Sequence, residues 1–564
     1  MVVGKEVGMK YILIIIIVLF SIILWSIIND KNRIKKIKNQ LKNEWGKVPD
    51  EEYISEKFES LKSYYLSNVD DRLDVDDITW NDLDLDQIYM MLNNTSSAIG
   101  EEYLYALLRK PCFSSEELTE RNRLIKFFGT NEEKRISLQL KLSQMGKLRS
   151  ISVFEYINRL GEQKAQNNLI HYLMAGGLVL SLLYVFVNPG LGGICTVVFI
   201  ANNIIRYYKR KAQIDSYLTV FSYIIRLLDS VKGITKLDIP EIKIYNDMLK
   251  NDSNIFKKFK KGSRMLVTKN TSGNFMDIFI DYFRMLFHVD LIKFNSMLNF
   301  LNSRRETLNR IFVNVGYLDS MIAAASFREM MDYYCEPELS KDGKPNLQVT
   351  DLYHPLIDHP VTNSINEDQC ILITGSNASG KSTFIKTLAI NTILSQTIYT
   401  SLSTSYKASF FQIYSSMALR DNIFTKESYY IVEIKSLKRI LDRVNNDIPT
   451  LCFVDEVLRG TNTLERIAAS SRILETLAKR NTLVCAATHD IELTHILGNF
   501  YSNYHFQERI LDHEIIFDYK LHQGKAVSKN AIKLLGILGY PADMIEDAEK
   551  AADDFLTNGE WKQI

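Results

Sequence analysis

Residues 374–383 read T-G-S-N-A-S-G-K-S-T, and within them Gly375, Gly380, Lys381 and Ser382 satisfy the phosphate-binding pattern G-x-x-x-x-G-K-[ST]. Each residue type has a physical task. The glycines let the backbone curl so that successive N–H groups face phosphate oxygens. Lys381 is placed to reach the β- and γ-phosphates, and the Ser382 hydroxyl to ligate Mg²⁺. The whole loop, Gly375, Ser376, Asn377, Ala378, Ser379, Gly380, Lys381, Ser382 and Thr383, is therefore assigned to nucleotide binding. Before it, Cys370-Ile371-Leu372-Ile373 is an apolar run of the kind a buried parallel strand needs. After it, Phe384, Ile385, Leu388 and Ala389 keep helical spacing, and the start of that helix turns its positive end to the same anion. Strand, loop and helix predict an α/β P-loop domain.

Two later strands complete the chemistry. Residues 450–454 are apolar and end in Asp455-Glu456. A strand that delivers two carboxylates beside a P-loop is the Walker B arrangement, with Asp455 on Mg²⁺ and Glu456 orienting or deprotonating the attacking water. Residues 483–487 form a third apolar run that ends in Thr488-His489-Asp490, which places His489 where it can sense the γ-phosphate.

A chain of 564 residues has room for two to four domains, and its net charge of +1 gives no global argument for a nucleic-acid or acidic partner. The six cysteines are scattered without a C-x-x-C pair, which reads as buried thiols in a reducing compartment. The apolar content concentrates in three stretches. Residues 11–28 contain no charge and are followed by Lys31, Arg33, Lys35, Lys36, Lys38 and Lys42, the signature of an uncleaved anchor; a secretory signal is the competing reading. Residues 169–187 and 191–205 are joined by the turn signal Asn188-Pro189-Gly190, with Arg159 and Lys164 before them and Arg206, Lys209, Arg210 and Lys211 after. Basic residues on both outer flanks fit a membrane hairpin with both ends in the cytoplasm, and a buried soluble hairpin is the alternative. Together these predict a multi-pass protein of the cell (inner) membrane with three spans, its N-terminus outside and the ATPase domain cytoplasmic.

The expected order is an N-terminal transmembrane anchor (1–30), a basic juxtamembrane helix or linker (31–70), a first helical part (71–165), the hairpin (168–207), a second helical part (208–340) and the ATPase domain (345–555). In the first helical part, Ser114 or Ser115 is placed to cap a helix, with Glu117 as its capping-box acid. In the second, Lys257, Lys258, Lys260, Lys261, Arg264 and Lys269 interleave with Phe256 and Phe259, which reads either as a nucleic-acid contact or as a solvated helix end.

The motifs together resemble the MutS family of DNA mismatch-repair ATPases, a branch of the ABC-type ATPases. The family's T-G-P-N-x-G-G-K-S-T matches residues 374–383 except at the Pro, here Ser376, and one Gly, here Ser379. S-T-F-x-x-E is similar to Ser428-Tyr429-Tyr430-Ile431-Val432-Glu433, and D-E-x-G-R-G-T-S-T to residues 455–463. Ala487-Thr488-His489, Asn503-Tyr504-His505, Tyr519-Lys520-Leu521 with Gly524, and His354-Pro355 with Asn363 resemble further family segments. Residues 94–100, 109–111 with Arg121, and Leu318-Asp319 are similar to parts of the family's lever domain.

The resemblance implies ATP and Mg²⁺ as cofactors, and an α/β ABC-type ATPase domain preceded by an all-α lever domain, here with transmembrane helices. It implies pairing of two ATPase domains in a homodimer, with Ser428 reaching the γ-phosphate held by the other subunit, His489 as the switch histidine and His505 stacking near adenine. It links the protein to double-stranded, mismatched DNA and its repair. Against that stand the departures: no segment with the F-x-E wedge of a mismatch sensor, no Smr nuclease domain after the ATPase, and a hairpin where the family's DNA clamp would need room. An ATP-switched membrane machine or scaffold, acting on a membrane protein partner without mismatch recognition, is the alternative expectation.

Overall fold

Helical spacing over the first 330 residues and short apolar runs after them produce two different kinds of structure. The computed structural model describes residues 20–21, 24–25, 28–50, 53, 55–148, 150–159, 167–257, 259, 282–341, 344–376, 379–417, 429–444, 447–511, 514–525, 532, 535, 539–559 and 561. One unit takes in residues 1–69, 89–107 and 120–330, the other 70–88, 108–119 and 331–564.

In the first unit the described elements are helices. Ile99, Leu104, Phe128, Leu138, Phe221, Ile224, Leu227, Phe312 and Leu318 are buried in its core. At the centre, Asp319 accepts from the Ser97 hydroxyl at 2.6 Å and from the Ser96 amide at 3.0 Å, so the segments around 96 and 319 meet through one carboxylate. Gly100 permits the approach, because a Cβ there would lie 2.2 Å from Asp319 Oδ2. The helix Ser115–Thr130 is capped as its sequence foretells, with the Glu117 amide donating to Ser114 Oγ at 3.2 Å.

Two apolar helices leave this unit's core pattern. Helix α1 (Leu169–Tyr184) and helix α2 (Pro189–Ile234) form an antiparallel hairpin. Asn188 caps α2, its side chain accepting from the Leu191 amide. The far end of α2 is buried in the core through Phe221, Tyr223, Ile224 and Leu227, whereas its first turns and most of α1 carry exposed apolar side chains that no described residue covers. Among the described residues one stretch, Pro189–Ile214, is long and apolar enough to cross a membrane, and Leu169–Tyr184 is apolar but shorter. At 1.5 Å per residue the 16 residues of α1 span about 24 Å, less than a hydrocarbon core of about 30 Å. The described residues thus supply one helix of spanning length where the sequence suggested three spans; most of 11–28 lies outside the described residues.

The second unit holds the strands, in chain order β1 (Glu338–Ser340), β2 (Leu347–Leu352), β3 (Asn363–Glu367), β4 (Cys370–Thr374), β5 (Ser405–Ser409), β6 (Gln412–Ser416), β7 (Thr450–Asp455), β8 (Thr482–Thr488), β9 (Tyr501–His505), β10 (Glu508–Leu511), β11 (Glu514–Phe517) and β12 (His522–Gln523). Six of them form a sheet in the order β12-β9-β4-β8-β7-β6. The run from β9 to β6 is parallel, and β12 closes the edge antiparallel. β4, β7 and β8 are apolar along almost their whole length because both sheet faces are covered. A four-stranded sheet, β1-β5-β2-β3, lies in the same unit, as does the hairpin β10-β11. Residues 70–88 and 108–119 belong here as well: Asp82 Oδ2 accepts from the Ser415 hydroxyl at 2.6 Å and the Met417 amide at 3.0 Å, and Arg109 lies over the Trp80 ring at 4.2 Å.

Candidate functional site

The topology brings three strand ends together. β4 lies between β9 and β8, with Thr374 opposite both His505 and Thr488, and β7 follows β8 with Asp455 opposite Ala487. The described residues just past these strands, 375–376, 379–382, 456 and 489, therefore share one carboxyl edge of a parallel sheet, where α/β folds bind ligands. Gly375 has φ +147° and its missing Cβ would meet the Phe506 carbonyl oxygen at 2.8 Å; Gly380 has φ +108° and opens helix α3 (Lys381–Thr397). Here the P-loop glycines are required by geometry.

Lys381 is largely buried, which pushes its ammonium below its usual pKa, and Nζ donates to the Gly375 and Ser376 carbonyls at 2.8 Å each. The Ser382 hydroxyl donates to Asp455 Oδ2. Asp455 Oδ1 is buried and finds no hydrogen-bond partner among the described residues. Burial first, opposed by the Ser382 bond, raises the Asp455 carboxyl. A serine oxygen beside a carboxylate with a spare buried oxygen is a hard-oxygen donor set that fits Mg²⁺.

Glu456 sits at φ +53° and Leu458 at φ +59°, a left-handed turn that non-glycine residues adopt at some cost. The turn aims the Glu456 carboxylate between an imidazole and a guanidinium: Oε1 is 2.8 Å from His489 Nε2 and Oε2 is 2.8 Å from Arg459 Nη1. The His489 bond is the main reason its carboxyl lies below the usual carboxylate range. Beside these groups is a cavity of about 560 Å³ lined by residues 379–384, by Ser376, Glu456 and Phe506, and by His354, His359, Asn363 and Tyr519. That volume suits a small ligand.

Residues 371–556 match the sequence profile of MutS domain V. The DNA mismatch repair protein MutS of Pseudothermotoga lettingae is 29% identical over 238 residues, which cover 40% of this chain and 29% of that protein. The DNA mismatch repair protein MSH3 of Debaryomyces hansenii is 27% identical over 279 residues, covering 45% of this chain and 27% of its own length. MutS protein homolog 4 of Mus musculus is 29% identical over 285 residues, covering 47% and 29%. Residues 371–556 are thus a MutS-family domain. The match spans less than a third of the length of each of these relatives.

Several MutS-like segments that lie far apart in sequence meet around this cavity. Asn363 donates to the Tyr519 carbonyl at 3.0 Å and accepts from the Leu521 amide at 2.7 Å, which ties the segment before the P-loop to the Tyr519-Lys520-Leu521 segment. Glu433, on helix α4 (Tyr429–Arg443), is buried and accepts from the Leu458 amide, so α4 holds the turn that carries Glu456. Burial raises its carboxyl. Helix α5 (Thr463–Ala478) is capped by Asn462, and its Arg466 makes a two-point contact to Asp490 at 2.9 and 2.6 Å, which fixes the residue after His489.

His505, expected near adenine, lies on β9 with Nδ1 3.0 Å from the Gly524 carbonyl oxygen and its ring 5.5 Å from that of His522; it is absent from the cavity lining, where His354, His359 and Tyr519 stand. Asn377, Ala378 and Ser428 lie outside the described residues, as do Lys258, Lys260, Lys261, Arg264 and Lys269. Phe256 and Phe259 of that basic cluster are buried. Arg459, His359 and Glu508 were not singled out as site residues. Glu508 Oε2 accepts from the Ser376 hydroxyl at 2.7 Å, a bond that the family's proline at that position could not make. The Ser-for-Pro departure was the signal for it.

Proposed function

We propose that this MutS-family protein binds and hydrolyses ATP with Mg²⁺, and that two copies close over nucleotide as a switch. The observation that carries the reading is the meeting of Ser382, Asp455, Lys381 and Glu456 at the carboxyl edge of one sheet. Ser382 and Asp455 would hold Mg²⁺, which when bound offsets phosphate charge. Lys381 has only to turn from its own loop's carbonyls to reach a phosphate oxygen. Glu456, kept ionised by His489 and Arg459, accepts the proton of the attacking water, and His489 relays the state of that carboxylate to Asp490 and α5.

The protein is further proposed to sit at the cell (inner) membrane, its ATPase domain cytoplasmic, through the hairpin α1–α2 and the 11–28 segment. Support comes from apolar side chains left uncovered along both helices, Leu173 at 65%, Leu180 at 68% and Val197 at 66% exposed, and from the basic residues at the hairpin's base. The relatives' names attach this fold to DNA mismatch repair, so duplex DNA is the first partner to test. The uncovered hairpin favours a second reading, an ATP-switched membrane machine that acts on a membrane protein.

The test is ATP turnover of the full chain in detergent or vesicles, alone, with matched duplex and with mismatched duplex, at low and moderate salt, with Glu456→Gln as the blank. Mismatch-dependent turnover with a steep salt response supports the repair reading. Turnover indifferent to DNA moves the function to a membrane partner, and no turnover above the blank removes the ATPase reading.

A further inference from the structure

The membrane reading leaves open how the hairpin α1–α2 meets the bilayer, and its tip carries an answer. The segment 185–193, Val-Phe-Val-Asn-Pro-Gly-Leu-Gly-Gly, contains no charged residue. Phe186 and Val187, at the turn itself, are 86% and 79% exposed. A loop that emerges into water on the far side of a membrane is normally polar. Here the one polar side chain, Asn188, is occupied in capping α2, its oxygen accepting from the Leu191 amide at 3.1 Å.

The backbone is also prepared for a medium without water. The amides of Val185, Phe186, Val187 and Asn188 donate to Ser181, Leu183, Tyr184 and Tyr184 carbonyls at 3.3, 3.2, 3.0 and 2.9 Å. Gly192 donates to the Asn188 carbonyl at 2.8 Å, and Pro189 has no N–H to satisfy. In hydrocarbon an unpaired amide costs several kcal/mol, so the pairing of these amides lowers the cost of placing the tip there.

The legs set the depth. α1 is 16 residues, about 24 Å, and from Pro189 to the first charge, Arg206, α2 runs a similar distance. Counted from its first charge, a hairpin of this reach entering a core of about 30 Å ends roughly 6 Å short of the opposite interface; Pro189–Ile214 attains spanning length only by including Arg206, Lys209, Arg210 and Lys211. At the other end the character reverses: Asn202, Arg206, Lys209 and Arg210 are suited to one headgroup layer, with Arg206 donating to Asn202 Oδ1 at 3.0 Å. Between base and tip the helices pack as helices do in lipid. Small residues let the backbones close: a Cβ on Gly177 would lie 2.3 Å from the Phe199 ring, and one on Gly192 2.6 Å from Val185 Cα. A hydroxyl pair, Thr196 to Ser181 at 3.3 Å, bridges them inside.

We propose that α1–α2 is a re-entrant hairpin: it enters the bilayer from the side of its basic base, turns within the hydrocarbon, and exposes no loop on the opposite side. Its outer surface is covered by lipid acyl chains. This rests on the membrane reading above and sharpens it.

The test uses the full chain with Cys195→Ser and Cys335→Ser, the other four thiols being buried, reconstituted in sealed phosphatidylethanolamine–phosphatidylglycerol vesicles. Single cysteines are introduced as Phe186→Cys at the tip and Lys209→Cys at the base. A membrane-impermeant charged maleimide is offered from outside, or from a preloaded lumen, and full reactivity is checked after denaturation in SDS. Lys209→Cys should react from one side only. Phe186→Cys should react roughly tenfold less or slower from either side, since a thiol in hydrocarbon barely ionises. A nitroxide at the same position should collide freely with oxygen and rarely with a water-soluble nickel complex. If Phe186→Cys reacts only from the side opposite Lys209→Cys, the hairpin spans, and the inference fails while membrane anchoring stands. If both react from the same side, or if the nitroxide at Phe186→Cys meets neither quencher, the tip is outside lipid and the inference fails. Recovery of the same chain without detergent as a lipid-free protein would remove the membrane reading with it.

Discussion

Glu456 shows how one residue can be strained and useful at once. Its left-handed backbone turn lifts the carboxylate off the end of β7 and into reach of His489 and Arg459. The His489 bond and the Arg459 charge both favour its ionised form, so replacing the charge while keeping the shape isolates its chemistry. Glu456→Gln is expected to lower ATP turnover by about 10²–10⁴-fold, the usual contribution of a positioned general base, with nucleotide affinity retained. Turnover by stopped phosphate release, beside equilibrium binding of a fluorescent ATP analogue, separates the two. Lys381→Ala should do the opposite and weaken binding itself by roughly tenfold or more, the worth of one charge-assisted bond to phosphate; unchanged affinity would take Lys381 out of the phosphate site. At this scale the sequence was most legible where a residue's partner lies close in the chain or in a fixed motif, as for Gly375, Lys381, Ser382 and Asp455. It was least legible for Glu433, Glu508 and His359, whose meaning depends on Leu458, Ser376 and a cavity that only the fold assembles.

Elements were legible by period and by cap. The strand–loop–helix of the P-loop, the Ser114 cap and the turn at Asn188 all follow from local rules. What local rules did not reveal is that residues 70–88 and 108–119 join the unit of the P-loop sheet, because helical spacing looks the same whatever the helix packs on. The contact is made by a buried acid: Asp82 takes both the Ser415 hydroxyl and the Met417 amide at the end of β6. Asp82→Ala leaves those donors buried and unpaired, and should cost about 2–3 kcal/mol, read as a lower denaturation midpoint; a loss under half that would mean water replaces the carboxylate. A second buried acid gives a pH signature. Glu102 accepts from Ser152 Oγ and the Val153 and Phe154 amides at the start of the helix Val153–Arg159, yet burial outweighs those donors and lifts its carboxyl from 4.5 to about 8. The folded state then holds a proton the unfolded chain has released, so its contribution is full below about pH 4.5 and is lost as pH rises through 8. Glu102→Gln should flatten the fall in melting temperature between pH 5 and pH 9 relative to the parent chain, and equal slopes would show that the carboxylate stays ionised in the fold.

At the scale of the whole molecule the proposal is a switch, and a switch needs a ligand that binds one state better than the other. The turn that carries Glu456 is built for this, since Glu433 holds it from α4, and Arg466 with Asp490 holds the neighbouring His489 turn from α5. If two copies close over nucleotide, ATP must favour the closed pair, and hydrolysis must release it. With Glu456→Gln hydrolysis is removed and closure is not, so ATP with Mg²⁺ should hold that variant as a dimer at protein concentrations where the parent chain returns to monomer. A shift from mostly monomer to mostly dimer, 1:99 to 99:1, requires about 10⁴-fold tighter nucleotide binding by the closed state, and the same linkage makes ATP affinity rise with protein concentration. Mass photometry of detergent-solubilised protein measures the first, and nucleotide titrations at two protein concentrations measure the second. Dimer that persists without nucleotide, or nucleotide affinity independent of protein concentration, would leave the ATPase standing and show that closure is not what ATP drives.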